Sequence, residues 1–206
     1  MKNEQIKVYK GREAKHYERF EDTIKYLNEE QIKKFLLHVK QKEDKNRQRN
    51  RLIFELLLST GMRITEFSLI KVSDIDFEQC LINIPFNNTK TAKRRIARVK
   101  RELLLDLKDY IINNNIKNGF VFRNNENKEL SARFYQKLCE KYQIEDLPFK
   151  IHPHAFRHSH IILALKKGVP INAVQQQVGH MDLKTTSIYS KLAGVDVVRG
   201  YEGFEY

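Results

Sequence analysis

Residues 154–192 read HAFRHSHIILALKKGVPINAVQQQVGHMDLKTTSIYSKL, and this stretch decides the fold class. Its apolar residues recur at helical spacing in three successive runs, which predicts helices at about 154–167, 171–178 and 183–192. Three helices that follow one another so closely indicate a mainly helical domain.

The upstream part of the chain continues the helical pattern. Asn28 is a predicted N-cap, because Gln31 stands at the third helical position and apolar residues follow at helical spacing. A second helix is expected to end at Gly61, and a third to begin near Arg63. The same periodicity predicts two more helices, at about 102–114 and 131–142.

A small antiparallel hairpin is predicted between these helices. Residues 80–86 are strand-like and residues 95–100 alternate in the manner of a strand, and Asn87-Asn88 between them is typical of a turn. Phe120-Val-Phe is a further short extended piece. Together these patterns predict an α+β, mainly α-helical fold with a small antiparallel hairpin or sheet, whose hairpin has a basic tip.

The chain is strongly basic. Its 206 residues contain 38 Lys and Arg against 26 Asp and Glu, a net charge of +12, which favours nucleic acid as a partner. The apolar stretches are far shorter than the roughly 20 residues of a spanning helix, and the N-terminus lacks the pattern of a secretory signal. We therefore expect a cytoplasmic protein without membrane contact, in which Cys80 and Cys139 stay reduced.

One main domain is expected from this length. Residues 1–23 are dense in Lys, Arg and Glu and are predicted to form a basic, flexible N-terminal arm. Residues 24–206 are assigned to the domain itself. They include a C-terminal tail, residues 193–206, whose apolar side chains would pack on their own domain or on a neighbouring copy.

Five segments contain side chains suited to metal-free cleavage of a phosphodiester. Such cleavage needs an in-line nucleophile, fixed positive charge on the phosphate oxygens and an acid for the departing oxygen. Each segment alone has an ordinary explanation as a surface ion pair, a solvated charge run, a helix cap or a core tyrosine. Their joint occurrence makes coincidence a poor explanation. In chain order they are Thr60–Glu66, Thr89–Thr91, His154–His158, Val178–His180 and Ser187–Tyr189.

In this order the segments resemble the catalytic signature of the tyrosine recombinases, the phage integrase family. The resemblance extends over approximately residues 26–192, and Gly168–His180 matches the family pattern even between the catalytic positions. It implies the tyrosine recombinase catalytic fold, the type of DNA breaking-rejoining enzymes. It also implies a site-specific recombinase that cleaves and rejoins DNA through a covalent 3′-phosphotyrosyl intermediate. Neither a nucleotide nor a metal cofactor is implied, because the phosphotyrosyl bond conserves the free energy of the ester.

The resemblance implies a role for each residue that matches the signature. Tyr189 is the nucleophile, Arg63 and Arg157 hold the scissile phosphate, and Lys90 on the hairpin is the general acid. A guanidinium fork matches two phosphate oxygens and stays charged, whereas a lysine can release a proton when neighbouring charges lower its pKa. Lys90 is preferred to Lys93 because Thr-Lys-Thr resembles one common version of the family's hairpin lysine.

Supporting roles follow from the same resemblance. His154 and His180 would orient the phosphate and assist proton transfer around the tyrosine oxygen, and Glu66 would hold a neighbouring residue in place. DNA contacts are predicted for three further basic residues of the hairpin, namely Lys93, Arg94 and Arg95.

The resemblance also implies partners. Double-stranded DNA is the substrate, four copies act together on two sites, and the free protein is a monomer or weak dimer. An accessory DNA-bending protein is a candidate partner. Many relatives carry an additional helical core-binding domain, and no separate domain of that kind is expected within these 206 residues.

Three alternatives stay open. The first is an accessory protein of the same fold that binds DNA without cutting it. The second is a metal-dependent nuclease, because four nearby imidazoles could hold a divalent ion, although no carboxylate lies among them. The third is a relaxing enzyme of the type IB kind, with the same nucleophile and cationic clamp. The four imidazoles belong to His152, His154, His158 and His160.

Overall fold

The computed structural model describes residues 24–84, 95–179, 189–190 and 192–193. Within these ranges the chain is mainly helical, with one small antiparallel sheet, as predicted. The helices are α1 (Glu29–Gln41), α2 (Arg47–Thr60), α3 (Ile64–Ser68), α4 (Arg101–Asn113), α5 (Ala132–Lys141), α6 (Pro153–Lys166) and α7 (Ile171–Val178). A 3-10 turn at Val72–Asp74 leads into the strands β1 (Ile75–Asp76), β2 (Leu81–Ile84) and β3 (Arg95–Arg98).

Helix α1 begins with the predicted capping box. The Asn28 side chain accepts a hydrogen bond from the Gln31 N–H at 2.8 Å, and the Gln31 side chain accepts one from the Asn28 N–H at 2.9 Å. Both amides would otherwise lack a helical partner. The preceding Leu27 N–H donates to Ser159 Oγ in α6 at 2.7 Å, which ties the start of the described chain to the helix that carries much of the site.

The core forms around α2, which packs against α1, α4 and α6. An aromatic cluster joins three of these helices: the ring of Phe54 lies 4.9 Å from that of Phe35 and 5.4 Å from that of Phe156, between centroids. All three side chains are buried, and each contributes about 1.5–3 kcal/mol through burial of apolar surface. Phe156 therefore anchors α6 through the residue directly before Arg157.

The sheet has the order β1-β2-β3, with both pairs antiparallel. Strands β2 and β3 are the described parts of the predicted hairpin, in a register that pairs Leu81 with Arg98 and Ile84 with Arg95. The structure adds β1, which the sequence did not indicate. Phe120, predicted as part of an extended piece, forms a single bridge to Lys71 and no strand, while the two residues after it are buried in the core.

Several sequence-based predictions fall outside the described residues. These are the arm at residues 1–23, the hairpin tip at residues 85–94 and the tail from residue 194. Of the helix predicted at 183–192, the structure describes Tyr189, Ser190 and Leu192, which are helical. Cys80 and Cys139 form no disulfide, and burial raises the pKa of Cys139 to about 12. None of the described helices combines the length and the apolar character needed to span a membrane.

Asp44 holds the α1–α2 connection against the end of α5. Its Oδ2 accepts hydrogen bonds from Lys141 Nζ at 2.6 Å, Tyr142 OH at 2.9 Å and Asn50 Nδ2 at 2.9 Å, and Oδ1 accepts the Asn46 N–H at 2.8 Å. Burial alone would raise the pKa of this carboxyl, but the bonds from Lys141, Asn46 and Tyr142 together lower it to about 2. The side chain is 2% exposed. Its charge is therefore part of the folded structure.

We expect Asp44→Asn to lower the free energy of unfolding by about 1–3 kcal/mol near pH 7, because a charged acceptor is lost among buried donors. A carboxyl whose pKa is depressed stabilises the fold above its unfolded value of 3.8 and loses this effect as the pH falls toward 2. Urea unfolding at several pH values checks this. The control, Glu126→Gln in the exposed pair with Lys128, should change little. A wild-type-to-variant difference that does not shrink below pH 4 contradicts the assignment.

Candidate active site

The turn between α2 and α3 places the first arginine. Gly61 ends α2 in the left-handed conformation, with φ +60°, and Arg63 then caps the start of α3. The Arg63 N–H donates to Glu66 Oε2 at 2.9 Å, and its Nη1 donates to Glu66 Oε1 at 3.2 Å. Its Nη2 donates to the Gly179 carbonyl at 3.2 Å. Arg63 is thus held by two elements while 38% of its side chain stays exposed.

Arg157 is the second arginine of the site, and it is almost fully buried. It lies on α6, and its Nη1 donates to the Gly61 carbonyl at 2.6 Å. Its Nη2 is also buried and has no hydrogen-bond partner among the described residues. Burial, and then the positive charge of Arg63, lower the pKa of Arg157 to about 9, against the opposing effect of Glu66. The guanidinium stays charged at pH 7 and presents a free donor to an anion.

Glu66 bridges two cations. Its Oε2 lies 2.5 Å from Nη2 of Arg95 on β3, in addition to its bonds with Arg63. Burial acts to raise the pKa of Glu66, but the charge of Arg95 and the Arg63 N–H outweigh it, so the pKa is lowered. The carboxylate is therefore ionised, and it keeps the two guanidinium groups in place.

The side chain of Arg95 points in a different direction from the one that the sequence-based prediction implied. It was predicted to contact DNA together with Lys93 and Arg94, but its side chain is only 12% exposed. The guanidinium points inward to Glu66, and its Nη1 donates to the Gln177 carbonyl at the end of α7. The buried carboxylate draws this side chain away from the surface. Arg95 consequently acts as a structural bridge within the site.

Strand β3 is bound to the end of α7 by more than Arg95. The Gln177 side chain accepts the Arg98 N–H at 2.9 Å and donates to the Arg98 carbonyl at 3.0 Å, as a neighbouring strand would. Gly179 ends α7 with φ +67°, and a Cβ there would lie 2.6 Å from Nε of Arg95. The strand that leads from the predicted Lys90 hairpin is therefore joined to the helix that leads toward His180 and Tyr189.

A row of rings runs along the start of α6 to the tyrosine. Ring centroids are 6.4 Å apart for His152 and His154, 6.3 Å for His154 and His158, and 5.7 Å for His158 and Tyr189. The Nδ1 atom of His158 lies 2.7 Å from the Tyr189 hydroxyl. Burial, followed by the positive charges of Arg157 and Arg63, lowers the pKa of His154.

The four histidines that suggested a metal site divide between different partners. His158 contacts Tyr189, whereas His160 Nδ1 lies 2.8 Å from the Leu58 carbonyl on the other side of α6. Among the residues that the structure describes, no group of three His, Cys, Asp or Glu side chains is arranged to hold a metal ion.

The structure brings five of the predicted residues together: Arg63, Glu66, His154, Arg157 and Tyr189. Four others, Lys90, Lys93, Arg94 and His180, lie outside the described residues. Sequence reasoning missed the contact of His158 with the tyrosine. Its position one turn after His154 was visible, but it suggested only a metal ligand.

Comparisons with known proteins identify the family to which this chain is related. The model of the phage integrase family matches residues 25–194. Tyrosine recombinase XerA of Thermococcus onnurineus is 33% identical over 171 residues, which are 82% of this chain and 58% of that protein. XerA of Saccharolobus solfataricus is 34% identical over 86% of this chain and 56% of its own length. The chain therefore spans little more than half the length of these relatives.

Solved structures show the same fold. A XerH site-specific recombinase, bound to a palindromic difH substrate after cleavage, matches with a TM-score of 0.70 and 28% identity over 87% of this chain and 52% of its own. The crystal structure of a XerA recombinase matches with a TM-score of 0.67 and 25% identity, over 88% and 64% of the two chains. The catalytic domain of bacteriophage HP1 integrase, at 21% identity and a TM-score of 0.62, covers 88% of this chain and 95% of its own, and it supports the fold alone. The predicted catalytic fold is confirmed.

Gly61 is expected to tolerate no side chain. Alanine there would keep an unfavourable φ, which destabilises by about 1–2 kcal/mol, and its Cβ would lie 2.7 Å from His160 Cδ2 and 2.9 Å from Val178 Cγ1. Overpacking adds about 1–3 kcal/mol. The matched control is Gly168→Ala, where φ is +79° but no atom lies within 4 Å. Urea unfolding should show a clearly larger loss for Gly61→Ala, and equal losses would refute the packing argument.

Proposed function

The chain belongs to the phage integrase family of tyrosine recombinases, and from this premise we propose that it is a site-specific DNA recombinase. It breaks and rejoins double-stranded DNA through a covalent 3′-phosphotyrosyl bond to Tyr189. The observation that carries the proposal is that Arg157, whose buried Nη2 has no partner among the described residues, directly precedes the histidine that contacts the Tyr189 hydroxyl.

The charge balance of the site supports a phosphate ligand. Among the described residues, the guanidinium groups of Arg63 and Arg95 form ion pairs with the carboxylate of Glu66, and that of Arg157 interacts with it electrostatically. An excess of positive charge at a buried site is unfavourable until an anion neutralises it. A phosphodiester monoanion supplies that charge, and guanidinium donors match its non-bridging oxygens. Preorganised donors of this kind stabilise the extra charge that develops on those oxygens during attack.

The reaction that we propose transfers the DNA phosphoryl group directly from the 5′ oxygen to the hydroxyl oxygen of Tyr189. The Tyr189 oxygen gives up its proton and attacks phosphorus, while the 5′ oxygen departs and takes a proton from Lys90. His154 and His180 orient the phosphate and assist the proton transfer from the tyrosine oxygen. The roles of Lys90 and His180 rest on the sequence signature. Rejoining reverses these steps with a DNA 5′ hydroxyl as the nucleophile. Because one ester replaces another, the residues need no metal or nucleotide to drive the transfer.

The partners and domain limits are part of the same proposal. Double-stranded DNA is supported by the net charge of +12 and by the similarity to XerH, whose structures contain its difH substrate. Four copies would act on two sites, with an accessory DNA-bending protein where the sites require it. Residues 1–23 would form a basic arm for phosphate contacts, and residues 24–206 the catalytic domain with its tail.

Covalent trapping tests the function. The substrates are nicked duplexes with randomised sequence around the nick. Cleavage close to the nick releases a short fragment that carries the 5′ hydroxyl, so the protein–DNA adduct cannot be reversed. In the presence of EDTA, the wild type should give a protein band shifted by its attached DNA on a denaturing gel, and Tyr189→Phe should give none. Sequencing the attached DNA identifies the cleaved site. If DNA is bound but neither protein forms an adduct, the chain is a non-cutting binding protein.

The general acid is tested on the site identified in this way. We expect Lys90→Ala to slow adduct formation by about 100- to 10,000-fold, because the 5′ oxygen then leaves without a proton. A substrate with sulfur in place of that bridging oxygen should restore the rate, since a thiolate leaves readily unprotonated. Lys93→Ala serves as the neighbouring control and should need no such rescue. The reverse pattern would assign the acid to Lys93.

A further inference from the structure

The hydroxyl of Tyr189 contacts an imidazole to which the resemblance assigns no catalytic role. Tyr189 is 4% exposed, and its hydroxyl lies 2.7 Å from His158 Nδ1. The two rings also stack, with 29° between their planes. His158 therefore touches the atom that the proposed function makes the nucleophile, in a place sheltered from solvent.

Within residues 24–84 and 95–179, Arg157 and His154 are less suited than His158 to take a proton from this hydroxyl. Arg157 acts on Tyr189 electrostatically, but a guanidinium has no lone pair that accepts a proton at working pH. His154 stands one turn earlier on α6, and the charges of the two phosphate-binding arginines act on it. His158 is the ring that bonds to the hydroxyl.

The protonation states of His158 and Tyr189 suit a proton acceptor and a proton donor. Burial is the main cause that lowers the pKa of His158 to about 4, with further lowering by His154, His152 and Arg157. The ring is then neutral at pH 7, and one nitrogen is free to accept. Burial raises the pKa of Tyr189, against the opposing charge of Arg157, so the phenol keeps its proton. A neutral phenol is a weak nucleophile and requires a base during attack.

We propose that His158 is the general base that activates Tyr189, an inference that rests on the proposed recombinase function. The O–H bond of Tyr189 breaks, and its proton moves to Nδ1 of His158, which becomes an imidazolium. The freed electron pair forms the O–P bond, while the bond from phosphorus to the 5′ oxygen breaks. That oxygen leaves with its electron pair and takes a proton from the general acid. Rejoining returns the proton from His158 to the tyrosine.

Burial of the pair keeps the tyrosine un-ionised until DNA is bound. In the free protein, proton transfer is unfavourable because the pKa of the phenol is raised and that of the imidazole is lowered. A bound phosphate brings negative charge beside Arg157, which offsets one of the positive charges that lower the pKa of His158. The phenol oxygen also becomes a stronger acid as its bond to phosphorus forms. Transfer is therefore favoured only during attack.

Two substitutions separate the functions of the ring. His158→Asn places an amide oxygen near the position of Nδ1, so it can accept the hydrogen bond but is not basic. His158→Phe keeps the stacking and removes the acceptor. We expect both to bind DNA as the wild type does and to form the adduct about 100- to 10,000-fold more slowly. His160→Asn, two residues along α6, is the matched control and should react at close to the wild-type rate.

The pH profile of adduct formation adds a readout that a structural role would not change. In the part of the chain that the structure describes, the groups that act on His158 are His154, His152 and Arg157 on α6 and Tyr189 from the following segment. The wild-type rate should rise as His158 loses its proton in the DNA complex and then level off. Without the base, the rate of adduct formation by His158→Asn should instead rise in proportion to the hydroxide concentration, which is about tenfold for each pH unit. A plateau that persists in this variant places the base elsewhere and overturns the proposal.

The decisive measurement uses the sulfur-substituted substrate on wild type, Lys90→Ala and His158→Asn. Sulfur removes the need for an acid but not for a base, so it should restore Lys90→Ala and leave His158→Asn slow. Rescue of His158→Asn, or wild-type rates in that variant on the normal substrate, overturns the assignment of the base alone. Absence of an adduct with the wild type on either substrate overturns the recombinase function itself, and with it the base.

Discussion

The rest of the site depends on the ion pairs that the buried carboxylate of Glu66 forms with Arg63 and Arg95. Three guanidinium groups close together repel one another, and burial adds to the penalty, as the lowered pKa values of Arg95 and Arg157 indicate. Glu66 offsets part of that repulsion while it bonds to Arg63 and Arg95 from two different elements. One negative charge among three positive ones is enough to hold the cluster and too little to neutralise it. The remaining positive charge is what makes the site receptive to a phosphate.

Helix α6 packs into the apolar core and also carries polar groups of the site. Phe156, Ile161 and Ile162 are completely buried in the apolar interior and determine where the helix lies. Arg157 and His158 project from the same turn toward the carbonyl of Gly61 and the hydroxyl of Tyr189. Because close packing leaves the helix little freedom to shift, the positions of these polar groups are set by the core. Preorganisation of this kind keeps donors directed at developing charge without rearrangement during reaction.

Contacts between β3 and α7 connect the sheet to the helical part of the site. Gln177 pairs with the backbone of Arg98 as a strand would, and Arg95 passes beneath Gly179 to reach the end of α7. The hairpin that precedes β3 and the segment that follows Gly179 therefore share one support.

The amino-acid sequence by itself determined the helices, the capping box at Asn28 and the strands β2 and β3. Helical periodicity and caps depend on residues within a turn of each other, so a linear pattern records them. The tertiary structure alone decided that Arg95 points inward, that the Gly61 carbonyl receives Arg157 and that His158 meets Tyr189. Arg95 is 29 residues from Glu66 in the sequence, Arg157 is 96 residues from Gly61, and His158 is 31 residues from Tyr189. Contacts over such separations depend on how helices and strands pack, which no local pattern in the sequence specifies.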